Sequence, residues 1–129
     1  MARILIADDD PDIRETLRKL LQLKGHEVEL AQDGLEASRK LDQEPYDLMV
    51  TDIVMPNREG LESIMEARER HPDLRLIAIS GGGRERTEAY LRMAETFGAQ
   101  AVFRKPFPPR DMLAKVDELI GGVPDARPA

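Results

Sequence analysis

The chain has 129 residues, of which 41% are apolar and 34% charged, a balance typical of one soluble domain with one core. The formal net charge of −6 argues against nonspecific nucleic-acid binding, which needs a basic surface, and the absence of cysteine excludes disulfides and thiolate metal sites. The N-terminal apolar run meets an acid at Asp8, too early for a signal-peptide core, and no apolar run could span a bilayer, so we expect a cytoplasmic protein with no membrane partner.

Five short apolar runs alternate with longer amphipathic stretches. The runs are Ile4–Ala7, Val28–Ala31, Leu48–Val50, Leu76–Ile79 and Ala101–Phe103. Three of them are continuously apolar, as in parallel strands buried on both faces, whereas the second alternates and is expected at a sheet edge. The alternation predicts an α/β fold, a doubly wound parallel sheet of five strands with helices on both faces.

Five helices are predicted between and after these runs. The first begins with Asp10 as N-cap and Pro11 as its first residue, and Gly25 ends it. The helical faces are predicted, in chain order, from Ile13, Leu17, Leu20 and Leu21; Leu35, Ser38 and Leu41; Leu61, Ile64, Met65 and Arg68; Tyr90, Met93, Ala94 and Phe97; and Met112, Leu113, Val116, Leu119 and Ile120. We expect residues 1–121 to form one domain and residues 122–129 to form a flexible tail.

Polar side chains follow four of the five runs. Asp8 and Asp9 come after the first, Asp52 after the third, Ser80 after the fourth and Lys105 after the fifth. Because ligands of an open parallel sheet bind at the carboxyl ends of its strands, these groups are expected to converge. Converging carboxylates repel one another unless a cation holds them, and an oxygen-only ligand set suits Mg²⁺ or Mn²⁺. Asp52 is a candidate nucleophile, since aspartyl phosphates are covalent intermediates, with Lys105 and Ser80 as phosphate contacts.

The order of four short motifs resembles that of response-regulator receiver domains in two-component signalling. The motifs are Asp8-Asp9, Asp52-x-x-Met55-Pro56, Ser80-Gly81 and Lys105-Pro106-Phe107, and the resemblance extends over about residues 2 to 120. It implies a flavodoxin-like three-layer sandwich with sheet order 2-1-3-4-5 and five helices.

The resemblance also implies a role for each matched residue. Asp52 would accept a phosphoryl group from a phosphohistidine of a sensor histidine kinase or a histidine phosphotransfer protein. Asp8 and Asp9 would hold Mg²⁺ together with Asp52, and the backbone carbonyl of Val54 would be a further ligand. Ser80 would supply the hydroxyl that contacts the phosphoryl group.

Lys105 would be the matching lysine of the family, and its bond to Pro106 would be cis. Since the sequence ends soon after the fifth helix, we expect a stand-alone receiver that is not an enzyme beyond its own phosphorylation and dephosphorylation. Its output would then be contact with a downstream protein or onward phosphotransfer, from a monomer or weak dimer. The expected contact surface covers residues 84–97 and 103–115.

One position departs from the family pattern. Three residues before the lysine, where the family has a Tyr or Phe that reports on the phosphorylated state, this sequence has Val102. Phe103 follows, and because side chains alternate along a strand, its ring is expected on the opposite face of the sheet.

A second class of function is an Mg²⁺-dependent phosphatase of the haloacid dehalogenase type, which also uses an aspartate nucleophile at a strand end. That family has a second aspartate two residues later as its general acid–base. Val54 occupies this position here and cannot transfer a proton.

Overall fold

A five-stranded parallel sheet is the framework of the molecule, for which the computed structural model describes residues 2–55, 58–80 and 92–121. In chain order the strands are β1 (Arg3–Ala7), β2 (Glu27–Ala31), β3 (Leu48–Asp52), β4 (Val54–Met55), β5 (Arg58–Glu59), β6 (Arg75–Ser80) and β7 (Ala101–Arg104). The main sheet has the order β2-β1-β3-β6-β7, and β4 and β5 form a separate antiparallel ribbon. Since β6 and β7 are the fourth and fifth strands of the main sheet, the predicted order 2-1-3-4-5 is confirmed.

Five helices accompany the sheet in the described part of the chain. They are α1 (Pro11–Leu23), α2 (Gly34–Gln43), α3 (Gly60–Arg70), α4 (residues 92–96) and α5 (Pro109–Gly121). The start of α1 is as predicted: Asp10 Oδ1 accepts a hydrogen bond from the Asp12 backbone N–H at 2.9 Å, and Pro11 is the first helical residue.

Two apolar clusters lie on the opposite faces of the sheet and make the fold three-layered. One cluster joins alternate strand residues such as Ile6 and Val50 to Leu17 of α1 and Met112 of α5. The other contains the intervening strand residues and side chains from the remaining helices, among them Leu41, Ile64 and Ala94. Strand β2 is at an edge, and its exposed Glu27 and Glu29 alternate with buried Val28. The prediction of an edge strand is therefore confirmed.

The buried faces of α2 and α3 agree with the predicted ones at Leu41 and Ile64 and differ at other positions. In α2 the buried residues are Gly34, Ala37 and Leu41, whereas Leu35 is 43% exposed. Asp33 caps the helix, and Gly34 and the positions three and seven residues after it face the sheet, with small residues at the first two and a leucine at the third. In α3, Met65 is 50% exposed while Ile64 is buried. The buried faces of these two helices therefore do not simply consist of their largest apolar side chains.

Helices α1 and α4 end in the same way, each with a glycine at positive φ. The Gly25 N–H bonds to Gln22 O and the His26 N–H to Leu21 O, and φ of Gly25 is +92°. At the end of α4, Gly98 has φ of +123°, and its N–H bonds to Glu95 O while the Ala99 N–H bonds to Ala94 O. Both ends are Schellman motifs.

Tyr90 and the tail 122–129 lie outside the described residues.

Gly98 differs from Gly25 in its neighbourhood. A Cβ at Gly98 would lie 2.8 Å from Nε of Arg68, whose guanidinium donates to the carbonyls of Gly98 (2.9 Å) and Pro72 (2.7 Å). A Cβ at Gly25 would meet nothing within 4 Å. Arg68 therefore ties the end of α3 to the turn after α4, and this tie requires a glycine at position 98.

We expect Gly98→Ala to lower the free energy of unfolding more than Gly25→Ala. Both substitutions place a side chain at positive φ, at a cost of about 1–2 kcal/mol. Only the first displaces the Arg68 guanidinium, at a further cost of about 1 kcal/mol or more. Urea denaturation of the two variants measures the difference, and equal losses would contradict the proposed role of the Arg68 contact.

Candidate functional site

The predicted polar residues lie together at the carboxyl edge of the main sheet. Asp8 directly follows β1, Asp52 and Ser80 are the last residues of β3 and β6, and Lys105 directly follows β7. Asp8, Asp52 and Ser80 are almost fully buried, with at most 4% of their surface exposed. The Lys105 N–H donates to the Ser80 carbonyl at 2.8 Å, and the Lys105–Pro106 peptide is cis.

Lys105 connects two of the carboxylates. Its Nζ lies 2.8 Å from Asp52 Oδ2, a hydrogen-bonded ion pair, and 3.1 and 3.3 Å from Oδ2 and Oδ1 of Asp8. Burial acts to lower the pKa of Lys105, but the hydrogen bond to Asp52 and the charges of both carboxylates outweigh it and raise the pKa overall. Lys105 is therefore a charged ammonium that compensates Asp52 and Asp8.

Asp8 is held by its backbone as well as its side chain. Its N–H donates to Ala31 O at 3.2 Å, and its Oδ1 accepts from the Asp10 N–H at 2.9 Å. Its carbonyl accepts a hydrogen bond from Nη1 of Arg14 at 2.6 Å. The sequence analysis did not single out Arg14. The signal that could have identified this residue is its position near the N-terminus of α1, where the helix dipole disfavours a cation.

The carboxylates suit a divalent cation. One oxygen from each of Asp8, Asp9 and Asp52 lies within 4.8 Å of the others. Asp8 Oδ2 is a buried oxygen that accepts no hydrogen bond within the described residues, and its 3.1 Å approach to Lys105 Nζ is ionic. Such an oxygen is a natural metal ligand, and Asp9, which is exposed, leaves the site open to solvent. An oxygen-only donor set matches Mg²⁺.

Burial raises the pKa of Asp8. The negative charge of Asp52 raises it further, whereas the hydrogen bond from Asp10 and the contact with Lys105 lower it without cancelling the effect of burial. Without a metal ion, the folded protein therefore disfavours the ionised form of Asp8.

The segment after Asp52 does not simply turn away from the sheet. The Ile53 N–H donates to Ile79 O at 2.9 Å, so this residue is still tied to β6. Val54 then begins β4 and pairs with Glu59 of β5. The chain thus forms a short antiparallel ribbon beside the site. The carbonyl of Val54 as a metal ligand stays a prediction.

Val102 and Phe103 face opposite sides of the sheet, as predicted. Val102 packs against the cluster that contains Ala94 and Ile64. Phe103 packs against the other cluster, and its ring centroid lies 5.5 Å from that of Phe107. At the position where the family has its reporting aromatic, the side chain is therefore a half-buried valine.

The molecule is a doubly wound α/β protein with an acidic, lysine-containing site at the carboxyl edge of its sheet. The family model of the response regulator receiver domain matches residues 4–117. The chain belongs to this family. It is a receiver of two-component signalling, and receiver domains take phosphoryl groups from histidine kinases. The haloacid dehalogenase alternative is not supported.

Curated relatives cover nearly the whole chain. It is 35% identical to the response regulator receiver protein CpdR of Brucella abortus, covering 93% of this chain and 98% of that protein. It is 36% identical to the response regulator MprA of a Mycobacterium species, covering 92% of this chain but 50% of that protein. The chain thus spans nearly all of the first relative and about half of the second.

Solved structures support the fold. A CheY-like receiver domain protein of Methanospirillum hungatei superposes with a TM-score of 0.85 and 33% identity over 94% of this chain and 95% of that chain. The response regulator TrrA of Thermotoga maritima, solved in complex with Mg²⁺ and BeF, superposes with a TM-score of 0.80 and 34% identity over 92% of this chain and 99% of that chain.

Within the described residues, every helix is too short or too polar to span a membrane.

We expect Asp8→Asn to raise the free energy of unfolding of the metal-free protein. The pKa of Asp8 is higher in the folded state than in the unfolded state, so ionised Asp8 destabilises the fold. This penalty is absent below the unfolded-state pKa and fully present once the pH exceeds the folded-state pKa, and the neutral amide removes it.

The same substitution should abolish stabilisation by Mg²⁺, because it removes a charged ligand. Thermal unfolding at neutral pH with and without Mg²⁺ measures both effects. Asp12→Asn, an exposed change in the first turn of α1, is the matched control and should leave both nearly unchanged. A metal-free Asp8→Asn protein less stable than wild type would contradict the destabilising effect that we assign to ionised Asp8.

Proposed function

We propose that Asp52 is the phosphoryl acceptor of this receiver and that Asp8, Asp9, Ser80 and Lys105 complete the site. The observation that carries the proposal is the 2.8 Å contact between Lys105 Nζ and Asp52 Oδ2, next to two further aspartates at the open edge of the sheet. A buried carboxylate beside both a cation and a metal-binding cluster is suited to forming an acyl phosphate, whose added charge needs compensation.

In the proposed reaction, an Asp52 carboxylate oxygen attacks the phosphorus of a phosphohistidine. A new P–O bond forms while the P–N bond breaks, and its electron pair remains on the imidazole of the donor. Hydrolysis later breaks the same P–O bond and returns the carboxylate and inorganic phosphate. We propose that the protein's catalysis is limited to these two steps.

Lys105 and Ser80 contact the phosphoryl group in this proposal. The Lys105 ammonium, bound to Asp52 before the reaction, shifts to a phosphoryl oxygen once that carboxylate becomes an acyl phosphate. The Ser80 hydroxyl donates to another oxygen. Because the Lys105 N–H donates a hydrogen bond to the Ser80 carbonyl, the backbones that carry the two side chains are held next to each other.

Asp8, Asp9 and Asp52 would hold the metal ion, with the Val54 carbonyl as a further ligand. The ion is Mg²⁺, or Mn²⁺, which accepts the same oxygen ligands. When bound, it neutralises charge on the carboxylates and the transferred phosphoryl group. The complex of the relative TrrA with Mg²⁺ and BeF supports this assignment.

The donor would be a sensor histidine kinase or a histidine phosphotransfer protein in the cytoplasm. The output would be contact with a downstream protein or onward phosphotransfer, from a monomer or weak dimer. The valine at position 102 argues that signalling does not use an aromatic ring there. Part of the expected contact surface, residues 84–91, lies outside the described residues.

We expect wild-type protein incubated with acetyl phosphate and Mg²⁺ to gain the mass of one phosphoryl group. Asp52→Asn should gain none, because the amide is not a nucleophile of this kind. Asp12→Asn should gain it as wild type does, and chelation of Mg²⁺ should prevent the gain. Intact mass spectrometry measures all four samples.

Two outcomes would contradict the assignment: no phosphoryl gain by the wild type, or equal gain by Asp52→Asn. A peptide map of the phosphorylated wild type then identifies the modified residue directly.

A further inference from the structure

We propose that Arg14 is a positioning residue for the metal site, acting through the backbone carbonyl of Asp8. This inference rests on the proposed function, because it concerns how tightly the same site binds Mg²⁺. Arg14 does not itself belong to the aspartate cluster.

The contact is short and specific. Nη1 of Arg14 lies 2.6 Å from the Asp8 carbonyl oxygen, and Asp8 is fully buried. Arg14 is anchored by its own helix, since its N–H donates to the Asp10 carbonyl at 3.1 Å. A rigid helix thus presents a charged donor to the peptide that joins Asp8 to Asp9, the two consecutive members of the cluster.

Three other hydrogen-bonding groups of Asp8 show what this donor adds. The N–H of Asp8 is bonded to Ala31 of β2, and Oδ1 is bonded to the N–H of Asp10, which leaves Oδ2 for a metal ion. The carbonyl is the remaining backbone group, and Arg14 fixes it. These three hydrogen bonds restrict rotation of the backbone on either side of Asp8, and with it the displacement of Oδ2.

The location of Arg14 argues for a role beyond helix stability. It lies near the N-terminus of α1, where the helix dipole disfavours a cation. Within the described residues, its side chain donates to the Asp8 carbonyl and forms no ion pair with a carboxylate. Arg18, one turn later on the same helix, has the ordinary surface partners Glu15 and Gln22.

Charge and positioning predict opposite effects on metal affinity. A positive charge near a cation site repels the ion, so if only the charge of Arg14 mattered, its removal would tighten Mg²⁺ binding. If Arg14 positions Asp8, its removal weakens binding, because loss of a group that orients a metal ligand typically costs 10- to 100-fold in affinity. The sign of the change therefore separates the two roles.

The test compares Arg14→Gln, Arg14→Lys and the control Arg18→Gln by calorimetric titration with Mg²⁺. We expect Arg14→Gln to raise the dissociation constant for Mg²⁺ by about 10-fold or more. Arg14→Lys keeps the charge and one donor and should show a smaller loss, and Arg18→Gln should bind as wild type. The Mg²⁺ concentration for half-maximal phosphorylation by acetyl phosphate should rise in parallel, while the rate at saturating Mg²⁺ stays close to that of wild type.

Unchanged or tighter binding in Arg14→Gln would overturn the proposal, as would an equal loss in Arg18→Gln. Unfolding of each variant without Mg²⁺ checks the fold, and if Arg14→Gln does not fold, Arg14→Met, which lacks both the charge and the donor, replaces it under the same criterion. A wild type that neither binds Mg²⁺ nor gains phosphate overturns the proposed function itself, and this inference with it.

Discussion

The structure depends most on how two buried carboxylates coexist at one end of a sheet. Asp8 and Asp52 lie at the carboxyl ends of the neighbouring strands β1 and β3 with almost no exposure to water, and their charges repel. Lys105 lies against both and compensates them without a metal ion. Burial nevertheless raises the pKa of Asp8, so the folded protein without a metal ion disfavours the ionised form of this carboxyl group.

The rest of the fold holds this end of the sheet in place. Parallel pairing brings the ends of β1, β3, β6 and β7 to one edge, and apolar clusters on both faces fix the strands. The peptide groups around the charges are also bonded: Asp8 to β2 and α1, Ile53 to β6, and Lys105 to Ser80. The side chains of the site thus extend from a hydrogen-bonded backbone.

Much of this arrangement could be predicted because it follows from strand direction. Once the five apolar runs are parallel strands, Asp8, Asp52, Ser80 and Lys105 must meet at one edge. The α2 face could not be predicted from residue size, because Gly34 and Ala37 face the sheet while Leu35 is exposed. Arg14 was missed because its partner is a backbone carbonyl, which no side-chain motif records. Val102 was recognised as a departure from the family pattern. Its packing against Ile64 and Ala94 could not be predicted, because these residues belong to other elements of the fold.

In the proposed function, Asp52, the metal cluster and Lys105 form one phosphoryl-accepting site. The decisive measurement is a crystal structure of the protein with Mg²⁺ and beryllofluoride, a mimic of the acyl phosphate. We expect beryllium bonded to an Asp52 oxygen, Mg²⁺ among Asp8, Asp9 and Asp52, and Lys105 Nζ moved from the carboxylate to a fluoride. Beryllofluoride on another carboxylate, or Mg²⁺ bound without Asp8 and Asp9, would contradict it.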